Sequence, residues 1–198
     1  MKLQRIICFL MVLIILSACG NADDNVEDIQ GHGEDDPGME AISNLDESKT
    51  TILVSMVNTS GDIIGEAMLE QKKDGVLIAL EATQLSPGIH GFHIHAVGKC
   101  QTPTFGSAEG HFNPTNANHG FNDPEGPHAG DLPNIEVAED GTVKAEVLAE
   151  LVTLEKGKEN SLLKEGGTSL MIHSEADDYE SQPSGDAGER VACGVIVE

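Results

Sequence analysis

Five of the eight histidines in this 198-residue chain fall between Gly91 and Asp131. His93 and His95 alternate with Phe92 and Ile94, so on a strand both imidazoles face one way and the apolar pair faces the other. His111, His119 and His128 follow at loop spacings beside Gly, Asn or Pro, and Asp131 closes the run. His173 comes much later, at the end of a second apolar segment, SLMIH. Imidazole is the usual protein ligand for copper and zinc, and one carboxylate among histidines is a common zinc set. Scattered histidines are ordinarily surface groups or satisfied core groups. A dense cluster that includes an aspartate is better read as a metal site.

These side chains need strands to position them. From Thr50 onward the apolar residues recur with period two, the spacing of a half-buried strand. Ile52, Val54 and Met56 share one face of residues 51–57, and segments 62–70 and 75–83 follow on either side of a Lys72-Lys73-Asp74-Gly75 turn signal. Residues 89–96 form the strand that carries His93 and His95. Segments 134–138 and 142–151 flank Glu139-Asp140-Gly141, which reads as a hairpin turn. Segments 169–173 and 190–197 supply the last two strands. Residues 153–165 offer at most a short helical turn. Eight short strands predict an all-β antiparallel sandwich or barrel. Two connections, 97–130 and 174–189, are too long to be turns, and long loops of this kind usually carry function. The first holds His111, His119 and His128.

Aromatic residues make up 3% of the chain and Trp is absent, so the core must be built from Val, Ile, Leu and Ala. The formal charge of −23 argues against nucleic acid or an acidic surface as a partner. At the N-terminus, Lys2 and Arg5 precede an apolar run over residues 6–16, then Ser17, Ala18 and Cys19. A basic start, a short apolar run and small residues make an export signal, too short for a comfortable membrane span. Its ending resembles a bacterial lipoprotein signal, in which the Cys is acylated and becomes the new N-terminus; the other reading makes Cys19 one more small residue near an ordinary cleavage site. The expected division is a signal peptide over 1–18, an acylated Cys19 with an acidic tether over 19–48, and a folded domain over 49–198. The tether carries ten acidic residues from Asp23 to Glu47 and no Lys or Arg, too polar to offset its ordering entropy. Such a protein would sit on the outer face of a bacterial cell membrane, held by its lipid.

The motifs GFHIH, SAEGHFNP, HGFNDPEGPHAGDLPNI, MIHSEADD and GERVACGVI, taken together and in this order, resemble the copper,zinc superoxide dismutases. The resemblance runs from about Thr50 to the C-terminus. It implies an eight-stranded antiparallel Greek-key β-barrel with two long functional loops, and one copper and one zinc ion per chain. Copper would be held by His93, His95, His111 and His173, and zinc by His111, His119, His128 and Asp131, with His111 bridging the two. Asp177 matches a carboxylate that joins one copper histidine to one zinc histidine. Arg190 matches an arginine beside the copper opening, where a guanidinium can hold a small anion. Ser184 falls where the family narrows its channel. His90 is not a ligand in the family; a structural hydrogen bond is its expected use. The implied reaction converts superoxide to dioxygen and hydrogen peroxide, with Arg190 and His111 as the acting residues.

Once Cys8 leaves with the signal and Cys19 takes the lipid, Cys100 and Cys193 remain. In an exported domain one such pair is expected as a disulfide, with copper ligation as the rival role. Two other functions compete with catalysis: a copper- or zinc-buffering lipoprotein of the same fold, and an interaction barrel with a structural zinc. Neither needs Arg190. Around the copper opening the loop 174–189 offers six acids and no Lys or Arg, so Arg190, the metals and Lys99 are the expected attraction for an anion.

Overall fold

A computed structural model describes residues 50–198; the expected signal peptide, Cys19 and the acidic tether lie outside the described residues. Among the described residues nine antiparallel strands are present: β1 (Thr51–Asn58), β2 (Ile63–Lys72), β3 (Gly75–Ala82), β4 (Gly88–His90), β5 (Phe92–His95), β6 (Ile135–Val137), β7 (Val143–Ala149), β8 (Thr168–His173) and β9 (Arg190–Ile196). Seven of them form one curled sheet in the order β5-β8-β9-β1-β2-β3-β7, and β4 pairs with β6 in a second sheet. The architecture is the all-β barrel expected from the sequence, with the fourth expected strand divided in two at Gly91. The division follows from where Gly91 bonds. Its carbonyl accepts from His173 at the end of β8, but its N–H donates to Glu175, outside both ladders.

Period two does its work along β1, β3 and β7. Val54 and Met56, then Val76, Ile78, Leu80 and Ala82, then Val143, Val147 and Ala149 point inward and merge into one core with Phe92, Ile94, Leu170 and Ile172. β8 is buried at every position. Its Leu170 and Ile172 enter the barrel, while Met171 packs on the outside with Phe105, Ala108 and Cys193 in a second, smaller cluster. That cluster anchors the start of the long loop after β5, including the 3-10 turn Gly106–Ala108.

The Glu139-Asp140-Gly141 turn is present, closed by Ala138 N–H to Thr142 O at 2.8 Å and Gly141 N–H to Ala138 O at 2.9 Å. Its flanks do not form the expected hairpin. β6 pairs with β4 and β7 with β3, so this turn passes the chain from one sheet to the other. A tight turn fixes local direction, but the ladder goes to whichever partner buries the apolar face. Residues 153–165 form turns and bends, with a lone bridge between Thr153 and Ser161.

Cys100 and Cys193 are joined in a disulfide across a separation of 93 residues, with Cα atoms 5.7 Å apart. It ties the long loop to β9 within the outer cluster. Free-thiol titration of the folded domain should find neither thiol, and reduction should cost up to about 4–5 kcal/mol in the chain-entropy picture. Two reactive thiols in the native protein would contradict the bridge.

Candidate metal centre

The site is assembled on the open edge of β5. Phe92 and Ile94 point into the barrel, so His93 and His95 must face out of it. One edge of β5 pairs with β8, and the other captures the long loop. Ile94 N–H donates to Gly130 O and Phe112 N–H to Ile94 O, both at 2.8 Å. Isolated bridges join His93 to Asp131 and His95 to His111. An unpaired strand edge is a template for backbone hydrogen bonds, and here it draws in two loop segments, each bearing one residue of the cluster. His173 arrives from the end of β8.

Seven side chains, six imidazoles and one carboxylate, form two groups that share His111. In each group the donor atoms lie within 4.8 Å of one another: His93, His95, His111 and His173 in one, and His111, His119, His128 and Asp131 in the other. In the second group the Nδ1 atoms of His111, His119 and His128 lie 2.7, 3.1 and 3.2 Å from Asp131 Oδ1. His111 Nδ1 and His128 Nδ1 are 3.4 Å apart. A tetrahedral zinc with ligands about 2.0–2.1 Å away would set its donors roughly 3.3 Å apart. The set fits zinc. In the first group His95 Nε2 and His173 Nε2 are 3.4 Å apart. His93 Nδ1 and His111 Nε2 are buried without hydrogen-bond partners, as is His119 Nδ1 in the second group. Buried nitrogens without hydrogen-bond partners, within 4.8 Å of the other donors of their group, suit a metal ion, and an all-imidazole set suits copper.

The opposite ring atoms fix each tautomer. His95 Nδ1–H donates to Glu109 O at 2.7 Å, which leaves Nε2 free for a metal. His93 Nε2–H donates to Asp177 Oδ2 at 2.6 Å, and His119 Nε2–H donates to Asp177 Oδ1 at 3.1 Å. Asp177 therefore spans the two groups. Asp131 is steadied through Oδ2 by the N–H groups of Gly120 and His128, both at 2.9 Å. Burial alone would raise both carboxyls; their imidazole partners outweigh it and hold both well below the usual carboxylate range. Gly185 must be glycine, since its φ is +70° and a Cβ there would overlap Asp177 Oδ1. His90 is buried, its ring nitrogens 2.7 Å from His173 O and 2.8 Å from Ser86 O, so it braces the strand and joins neither metal group.

Arg190 sits opposite His173 across a β-bulge, because the register between β8 and β9 skips a residue there. Its Nη1 donates to Phe105 O at 2.8 Å and its Nη2 to Glu109 O at 2.6 Å. Glu109 O therefore holds both Arg190 and His95. Phe105 and Glu109 have φ of 54° and 61°, a left-handed backbone in non-glycine residues. Such positions cost about 1–3 kcal/mol each and persist where the surroundings demand them; here the demand is to aim two carbonyls at one guanidinium. The sequence reading missed both residues, since a carbonyl's role leaves no mark on the side chain. His95, His111, His173, Ser184 and Arg190 line an open cleft, and Arg190 is the one Lys or Arg among its lining residues. Lys99 does not line it.

Burial drives His95 down to about 2, His111 to about 4 and His173 to about 3, each helped by a neighbouring imidazole. For His119 burial also lowers the value, but Asp131 and Asp177 overcome it and raise His119 to about 9. The three lowered groups contribute stability that is present above about 6.5 and lost as pH falls toward their folded values. The His119 contribution is complete below about 6.5 and lost as pH rises through about 9. Three oppose one, so the metal-free domain should lose on the order of a few kcal/mol between pH 7 and pH 5. Urea titrations of chelator-treated protein at the two pH values check this; equal midpoints would contradict it.

Comparison with known proteins places this arrangement. The family model for copper/zinc superoxide dismutase (SODC) matches residues 63–196. A superoxide dismutase [Cu-Zn] of Aquifex aeolicus is 56% identical over 142 residues, covering 71% of this chain and 84% of that protein. A superoxide dismutase [Cu-Zn] of Caulobacter vibrioides is 42% identical over 138 residues, covering 69% of this chain and 79% of that protein. Among solved structures, a double mutant of a SOD-like protein from Bacillus subtilis superposes with a TM-score of 0.72 at 45% identity, covering 74% of this chain and 97% of that one. An antiparallel barrel with two histidine groups outside one edge strand defines a copper–zinc oxidoreductase scaffold. The chain belongs to the copper/zinc superoxide dismutase family.

Proposed function

We propose that this chain dismutes superoxide, two superoxide anions and two protons giving one dioxygen and one hydrogen peroxide. The observation that carries the reading is the pair of donor groups sharing His111 beside a cleft walled by Arg190. His93, His95, His111 and His173 hold copper, and His111, His119, His128 and Asp131 hold zinc. When bound, copper supplies one-electron redox chemistry and zinc a fixed positive charge. Arg190, clamped by two carbonyls, attracts and orients the anion at the cleft. His111 stays anchored through Nδ1, so its Nε2 is the ring atom that can take up and release a proton. Burial, the largest influence on this ring, disfavours the doubly protonated form at neutral pH. Asp177 keeps His93 and His119 in the tautomers that present Nδ1. A buffering protein would need neither the cleft nor the guanidinium. The test is metal analysis and superoxide consumption by purified protein loaded with one copper and one zinc. A correctly loaded protein that does not accelerate superoxide decay would refute the reading.

We further propose that Cys19 carries acyl chains and holds the domain on the outer face of the bacterial membrane through the 19–48 tether, after loss of residues 1–18. The support is the order of basic, apolar and small residues ending at Cys19, and the firm anchoring that more than one acyl chain provides. Cys19→Ser should remove the protein from membrane fractions, to the medium or to an unprocessed form. An unchanged membrane level would sink this proposal.

A further inference from the structure

His119 is fully buried, yet one surface side chain takes both of its backbone polar groups. Its N–H donates to Gln182 Oε1 at 2.9 Å, and its carbonyl accepts from Gln182 Nε2 at 2.8 Å. Among the described residues no other group pairs with either atom. The carboxamide thus acts as one rung of an antiparallel ladder between two loops that have no strand there. Nε2 also reaches Glu180 O at 3.3 Å, which squares the amide to its own loop. Loop 174–189 holds His119 twice, by the backbone through Gln182 and by the ring through Asp177. Asp177 is in turn gripped by the Asn134 carboxamide, which bonds its N–H and its C=O, both at 2.9 Å. What remains free on His119 is Nδ1, 3.1 Å from Asp131 Oδ1. The next two residues, Pro183 and Ser184, line the cleft beside Arg190.

We infer that Gln182 is a positioning residue of the zinc centre: it fixes the His119 backbone so that Nδ1 meets the other three donors, and it links that centre to the Pro183–Ser184 wall of the cleft. The inference rests on the zinc set proposed above. Gln182 is exposed, so burial gives no reason for its placement. Removing its amide would leave two buried backbone groups to find water or go unpaired, and His119 would be held by its ring alone.

The test uses the full chain and zinc, with affinity measured by chelator competition. Gln182→Met keeps the length and removes both hydrogen bonds. It should bind zinc roughly 10–100-fold more weakly, the range typical for loss of a partner that orients a metal ligand. Gln182→Glu keeps the acceptor for His119 N–H and loses the donor, and should fall between Met and the parent. Cobalt(II) in place of zinc should show a shifted ligand-field absorption in Gln182→Met. Glu180→Ala is the control, because Glu180 joins the same loops through Asn122 without touching His119; it should match the parent in affinity and spectrum. Parent affinity and spectrum in Gln182→Met would overturn the inference, as would an equal loss in Glu180→Ala. A parent chain that binds no zinc would instead remove the zinc assignment itself.

Discussion

His173→Ala should lose copper and superoxide-consuming activity together while keeping most of its zinc. His173 Nε2 belongs to one donor group only, 3.4 Å from His95 Nε2, and it has no place in the group around Asp131. Removing it leaves three imidazoles where four converged. Activity should fall more than about a hundredfold, beyond the 10–100-fold typical for loss of a supporting partner. The fold should survive, because His173 ends β8 and the barrel core is carried by Leu170 and Ile172. Asp131→Ala should act on zinc first, since its Oδ1 lies against three Nδ1 atoms of that group and its Oδ2 holds the backbone of Gly120 and His128. Metal content measured beside activity separates the two cases. Full activity in His173→Ala would show that copper sits elsewhere.

Arg190→Glu should cut the rate severely with both metals still bound. Arg190 touches no donor atom of either group, and it is the one Lys or Arg lining the cleft. Reversing its charge should lower the rate by about 10–10³-fold, the span over which electrostatic steering changes association. The surrounding loop works against the substrate. Glu175, Asp178, Glu180, Asp186 and Glu189 are exposed on it, whereas Asp177 is buried and accepts hydrogen bonds from His93 and His119. Fields from the exposed acids are screened beyond a Debye length of about 8 Å at physiological salt. For the parent protein, added salt should therefore lower the rate weakly or raise it. A steep fall with ionic strength would reveal cations at the entrance other than Arg190.

Much of this site was legible in the chain because ligand chemistry lives in side-chain identity. Imidazole, carboxylate and guanidinium are written at His93, His95, His111, His119, His128, His173, Asp131 and Arg190. Alternation with Phe92 and Ile94 already sends the His93 and His95 rings out of the barrel, because a strand's two faces are a local property of period two. Partner choice is not local. Nothing between residues 134 and 151 says that β6 joins β4 while β7 joins β3, since the same turn serves a hairpin or a passage between sheets. The break at Gly91 and the bulge opposite His173 depend on hydrogen bonds to segments about 80 and 20 residues away. The open edge of β5 captures residues 110–112 and 130–131 through backbone atoms, which every sequence carries alike. For the same reason the carbonyls of Phe105 and Glu109 that hold Arg190, and the His119 backbone groups that meet Gln182, are decided by the tertiary structure alone. Sequence specifies which groups can bind a metal or an anion; packing around a barrel edge decides which backbone atoms hold them still.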